Sequence, residues 1–199
     1  VGLAAFWSNP HRAVNRAFFG ASLHVALWLA CLDQAMKGGP DGQFWMRTTS
    51  VVGAFIVVSV WVIRESILFD RCFVQSRWPR ITGLLFACIV LGSIPFTNWF
   101  VLRGSSLEAP GIGFGYFLYI IGIISLLVAL FIDTRLKMLE VAGVKKLELQ
   151  LVLVGGVCTI TAVLLMMGLR AYFHDQSYVR AQPYFVLGFY GATVFAITI

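Results

Sequence analysis

The sequence predicts an all-α fold, a polytopic membrane helix bundle with seven transmembrane helices. The first observation behind it is compositional. Hydrophobic residues make up 59 % of the 199 and charged residues 12 %, with a mean hydropathy of +0.86. Soluble domains carry roughly a quarter charged residues, and a globule this small could not hide so much apolar surface from water. The second is the length of the apolar runs, near the ~20 residues a helix needs to cross a hydrocarbon core. The third is that the runs are continuous. They lack the period-two alternation of an outer-membrane barrel.

Taken in order, residues 1–7 (VGLAAFW) read as the last turns of a helix already in the membrane. Six further runs follow, at 17–36, 48–68, 81–102, 112–132, 148–168 and 184–199. The connectors between them carry turn chemistry: SNPHR, KGGPDGQ, QSRWPR, RGSSLEAPG, DTRLKMLEVAGVKKLE and FHDQSYVRAQP. The chain has no initiator Met, and its last run is too short to clear a core of about 30 Å. The expectation is that the first helix, and the last as well, are truncated. Residues 1–199 then form a single transmembrane domain cut from a longer protein. Within the fourth helix, 81–102, Pro95 is expected to kink the helix in its outer half. Gly113, Gly115, Gly122, Gly155, Gly156, Gly188 and Gly191 read as close-packing positions between helices. Trp45, Trp99, Tyr116, Tyr172 and Tyr184 fall at the ends of runs, as interface anchors do.

The formal charge of +6 and the pI of 9.4 do not require a nucleic-acid partner, because no soluble domain is present to gather a basic face. They fit the excess of Lys and Arg in cytoplasmic loops. Loops one, three and five carry ten basic residues: Arg12, Arg16, Arg64, Arg71, Arg77, Arg80, Arg135, Lys137, Lys145 and Lys146. Loops two, four and six carry five: Lys37, Arg47, Arg103, Arg170 and Arg180. The odd loops and the C-terminus are therefore expected in the cytoplasm, in an inner (plasma) membrane. Cys31, Cys72, Cys88 and Cys158 have no metal-type spacing and read as small hydrophobes.

One motif is specific enough to suggest a family. NPHRAVNRAFFGASLHVALW resembles the signature joining helices one and two in the seven-transmembrane N-terminal region of bacterial sensor histidine kinases. Its elements here are Asn9, Pro10, Asn15, Arg16, Phe18, Ser22, Leu27 and Trp28. KKLELQLVLVGG is similar to a second pattern of that family, through Lys145, Lys146, Gln150, Gly155 and Gly156. The resemblance implies a signal-sensing module that passes a stimulus to a cytoplasmic histidine-kinase or similar output domain beyond residue 199, in a two-component system. It names no stimulus. The physical reading of the signature is simpler. Asn9 and Pro10 end one helix and begin a turn, Asn15 is placed to cap the next helix, and Arg12 and Arg16 hold the turn at an anionic surface.

Among chemistry-bearing residues, His24 stands out, about five residues into an apolar run. An ionisable group at membrane depth is a functional-site candidate by default. Three readings compete: a neutral His hydrogen-bonded to a neighbouring helix, a pigment or haem contact, and a pH- or ligand-responsive group. A bis-His haem would need a second His at membrane depth, and His11 and His174 lie in loops on opposite sides. No Lys falls within an apolar run, which excludes a retinal Schiff base. Arg64 and Glu65 are adjacent and so do not face each other on a helix, and Arg64 is expected to snorkel to the surface. With Asp33 and Asp41 at an outer end and no carboxylate securely inside, an ion-coupled transporter is disfavoured.

A ligand pocket is expected among the outer halves of the helices, where His24, Trp28, Asn98, Trp99, Tyr116 and Tyr119 are the candidate ligand-binding residues, with Pro95 and Tyr190 as neighbours. A small apolar or amphipathic molecule is the matching ligand, the lipid bilayer the surroundings, and a homodimer or membrane-complex subunit the protein partner. No metal ligands, cofactor or catalytic motif can be read from the chain: HExxH, GxSxG and phosphate-loop patterns are absent. Kinase activity would belong only to a further module. The rival reading is a non-catalytic membrane subunit, a scaffold or pigment-associated protein of a larger complex. In the sensor reading, the signal is expected to leave through the last helix, with Gly188 and Gly191 at its moving contact.

Overall fold

The computed structural model describes residues 2–37, 41–71, 78–101, 113–173 and 177–198. Cys72, Arg77, Arg103 and His174 lie outside the described residues. The chain is helical, with no β-strand among the described residues. In order come α1 (Gly2–Ser8), α2 (Ala13–Lys37), α3 (Gly42–Ala54), α4 (Ile56–Phe69), α5 (Trp78–Ser93), α6 (Phe114–Met138), α7 (Val144–Phe173) and α8 (Ser177–Thr198). Among the described residues, five stretches, not the seven expected, are long and apolar enough to cross a membrane: Ala13–Lys37, Gly42–Phe69, Pro79–Phe96, Phe114–Met138 and Val144–Met166. They mark a multi-pass membrane protein. The apolar part of α8, Tyr184–Val194, is shorter.

The turn between α1 and α2 is built by its asparagines, Asn9 in the expected turn-forming role and Asn15 in a different one. Asn9 Oδ1 accepts from the backbone N–H of His11 (3.2 Å) and of Arg12 (3.3 Å), which is the side-chain-to-backbone bond that makes Asn a turn former. Helix α2 already begins at Ala13, so Asn15 is not its cap. Asn15 is buried and reaches back instead, donating from Nδ2 to the Asn9 carbonyl (3.0 Å) and to Ser8 Oγ (3.3 Å).

The expected third crossing, 48–68, is two helices meeting at Phe55. There the Phe55 N–H bonds to the Val52 carbonyl three residues back, at 3.1 Å. The Val52 oxygen also bonds to His24 Nε2 on α2. A side chain that takes a carbonyl from the i→i−4 ladder is a recognised cause of a helix break. Pro95 acts more strongly than a kink. Helix α5 stops at Ser93, and Pro95 sits in a short 3₁₀ turn, Ile94–Phe96. Helix α4 ends on Asp70 in the left-handed region (φ 53°), a position where short polar residues are tolerated at helix ends. Gly143 takes φ 65° just before α7, where a Cβ would be strained.

The rod of α3 and α4 is the most enclosed crossing. It contributes to every part of the core. Ile63 and Ile67 pack with Phe18, Leu149 and Val194 near one end, Val57 and Trp61 pack with Cys88, Leu127 and Leu130 in the middle, and Ala54 packs with Phe100 and Tyr119 towards the other end. Leu23, Phe86, Ile121, Ile132 and Val154 are exposed, as lipid-facing residues of a bilayer protein are. Small residues set the helix spacing. A methyl on Gly155 would lie 1.9 Å from Thr193 Oγ1 of α8, and one on Gly156 would lie 2.6 Å from the Phe131 ring of α6. Gly188 has open space around it and faces outward. It is not at a helix contact within the chain.

The Asn9–Arg12 turn, the end of α4, the start of α7 and the end of α8 lie together at one end of the bundle. Arg12 pairs with Glu148 at the start of α7 and donates to the Ile197 carbonyl near the end of α8 (3.4 Å). Lys145 Nζ donates to the Leu68 carbonyl at 2.9 Å. At the opposite end, Arg47 Nη1 donates to the Phe96 carbonyl at 2.9 Å, and the Gly115 N–H to the Trp99 carbonyl at 2.8 Å.

Candidate functional site

Helix α2 carries His24 and Trp28 four residues apart, so they share the face that meets α3 and α4. The His24 ring bridges both halves of the broken rod. Nε2 lies 2.8 Å from the Val52 carbonyl of α3, and Nδ1 lies 2.7 Å from Ser59 Oγ of α4. A carbonyl only accepts, so Nε2 carries the hydrogen. A neutral imidazole then accepts the Ser59 hydroxyl proton at Nδ1. Beside this pair lies a shallow outward groove formed with Leu23, Leu27, Phe55 and Val58.

Ser59 also lines a second space, a partly open cavity of about 130 Å³ between α2, α4, α6, α7 and α8. The walls are mostly apolar: Phe18 and Val25 from α2, Ile63 from α4, Phe131 from α6, Val152 from α7 and Val186 from α8. Tyr190, Thr159 and Thr193 add hydroxyls. Each of those hydroxyls donates inside the protein. Thr159 Oγ1 bonds to the Gly155 carbonyl (2.7 Å), Thr193 Oγ1 to the Phe189 carbonyl (2.8 Å) and Tyr190 OH to the Phe18 carbonyl (2.9 Å).

The outer aromatic group comes together only in part. The indole Nε1 of Trp28 and the hydroxyl of Tyr119 both approach Gly53, each 3.4 Å from where a Cβ would stand. Tyr119 donates to the Ser50 carbonyl at 2.6 Å and meets Phe100 edge-on, with centroids 5.6 Å apart. Tyr116 packs on the same Phe100 at 5.4 Å. Asn98 is exposed, and Trp99 is 70 % exposed, outside this group. Tyr190, read with the outer aromatics, lines the central cavity. Of the motif residues, Gly155 and Gly156 border the cavity, while Pro10, Arg16 and Gln150 are exposed.

Arg64 does not snorkel. It is 1 % exposed and is held by two carboxylates, Glu65 Oε1 at 2.8 Å and Asp133 Oδ2 of α6 at 2.5 Å. Its length lets it curl back to an adjacent residue that a helical wheel places on another face. Glu65 and Glu148 are both buried, so carboxylates do enter the protein interior at this end. Sequence reasoning also missed Ser59, Phe131 and Thr193. The signal for Ser59 and Thr193 was faint, small polar residues inside otherwise apolar runs, and Phe131 carried none.

Among the described residues, no group of three His, Cys, Asp or Glu side chains is placed to hold a metal ion. Compared with known proteins, the chain matches no family model, no curated protein and no solved structure.

Proposed function

We propose that the chain is a membrane-embedded sensory module that passes a stimulus to a cytoplasmic output domain, of histidine-kinase or related type, following α8. The observation that carries this reading is the junction at Arg12. One guanidinium in the Asn9–Arg16 motif holds both the buried Glu148 of α7 and the Ile197 carbonyl of α8. The motif that resembles the sensor-kinase signature therefore grips the end of the helix that would lead to the output. A ligand or membrane state acts on such a device by favouring one of two helix arrangements. The odd-numbered turns lie on the cytoplasmic side in this proposal, following the ten-to-five bias of basic residues. Gly155, seated against Thr193, takes the place of Gly188 as the contact on which α8 would shift.

The first test is the coding sequence downstream of Ile199. A kinase or cyclase module supports the sensor, and a stop codon soon after supports a non-catalytic subunit of a complex. The second is functional: Glu148→Gln in the full-length protein should change resting output while membrane insertion stays normal. Unchanged output in resting and stimulated states counts against the proposal.

A further inference from the structure

We propose that the central cavity is a binding site for one uncharged, ring-sized apolar molecule taken up from the bilayer. This deepens the sensory reading and rests on it for a biological role, but the binding itself is a property of this chain.

Four observations point to that ligand class. The cavity, at about 130 Å³, is close to the roughly 150 Å³ of an apolar cavity that stays dry and binds benzene or xenon. Its walls come from five helices, α2, α4, α6, α7 and α8, and it is partly open to the outside, which gives a molecule from the bilayer a way in. Its hydroxyls spend their protons inward, on the Gly155, Phe189 and Phe18 carbonyls, and Ser59 bonds to His24. A carboxylate or phosphate would meet no charge and few free donors there, and would be excluded by the cost of burying an unpaired anion. The hydroxyl oxygens keep lone pairs. A single ligand donor, such as a phenol O–H or an indole N–H, can be accommodated.

The room itself comes from small residues. Ala21, Gly155 and Gly156 line the cavity where longer side chains would fill it. Gly155 and Gly156 also bring α7 against Thr193 and Phe131, both of which are cavity walls. An occupant would therefore press on the α7–α8 and α6–α7 contacts. Ser59 connects the same wall to His24 and the break at Phe55.

The test is fluorobenzene titrated into the purified chain in lipid nanodiscs, followed by valine-methyl NMR. Cavity binding predicts saturable shifts at Val25, Val152 and Val186. The lipid-facing Val128 and Val154, 49 % and 58 % exposed, should shift only in proportion to the probe dissolved in lipid. Ala21→Leu, which fills the cavity, should abolish the saturable component. Phe131→Leu, which widens it, should keep fluorobenzene and admit naphthalene, which the native chain refuses. Shifts that rise linearly at all five valines, or a saturable component unchanged by Ala21→Leu, overturn the proposal. If Ala21→Leu does not insert, Phe131→Leu decides, and failure to admit naphthalene counts against the site. Saturable binding without any change in output of the full-length protein upholds the site and removes the sensory reading.

Discussion

His24 lies at membrane depth, where a polar side chain must find its partners within the protein. Both ring nitrogens do so, on Ser59 and Val52. Helix-to-helix hydrogen bonds in membranes are worth about 0.6 kcal/mol each and up to ~1.7. His24→Leu should therefore destabilise the bundle by about 1–2 kcal/mol, while His24→Gln, which keeps one donor and one acceptor, should lose less. Thermal unfolding in one detergent ranks the three proteins, and equal losses for Leu and Gln would contradict the hydrogen-bonding role. A visible absorption band abolished by His24→Gln would instead establish a pigment contact. Arg64 gives a larger effect. Removing it leaves Glu65 buried without this cation, which costs about 3–5 kcal/mol for a broken buried pair, whereas Arg64→Met with Glu65→Met together should cost less, the remainder coming from Asp133, which loses the same guanidinium. This double-mutant comparison reads the pair, since either single change exposes what the other residue loses.

At the scale of elements, the contrast between two glycines on neighbouring helices is the informative one. Both belong to Gly-containing apolar runs, and nothing in their local sequence says which touches a neighbour. Gly155 has Thr193 Oγ1 where a side chain would begin, and Gly188 has open space. Gly155→Leu should therefore force α7 and α8 apart and lower the melting temperature by an overpacking cost of about 1–3 kcal/mol. Gly188→Leu should stay within about 0.5 kcal/mol of the native protein. A loss at Gly188 equal to that at Gly155 would mean that α8 is covered there by a partner, and its size would scale with protein concentration. The break at Phe55 shows the same principle. The sequence from 48 to 68 reads as one apolar helix with no Pro, and it divides where His24 of α2 bonds to the Val52 carbonyl.

For the whole molecule, the prediction concerns which side faces the cytoplasm. In a cysteine-free background, cysteines placed at Ser8 and Gly143 should be shielded from an impermeant external reagent in intact cells. Both lie near the end that carries the Arg12–Glu148 pair. External labelling of both sites reverses the orientation. By itself the sequence determined the all-helical membrane class and, of the seven expected crossings, the approximate position of the five that are long and apolar enough to span among the described residues, because bilayer thickness and backbone hydrogen bonding leave an apolar run of about 20 residues few alternatives. Those rules act along the chain, one segment at a time. Only the tertiary structure decided that Arg64 turns inward to Asp133, that Asn15 reaches back to Asn9 instead of capping a helix, that Pro95 ends a helix, and that the cavity lies at Ser59 and Tyr190 instead of among the outer aromatics. The physical reason is that ion pairing and cavity volume depend on which faces of distant helices meet. In a chain whose helices are apolar on nearly every side, hydrophobic periodicity carries almost no record of that choice.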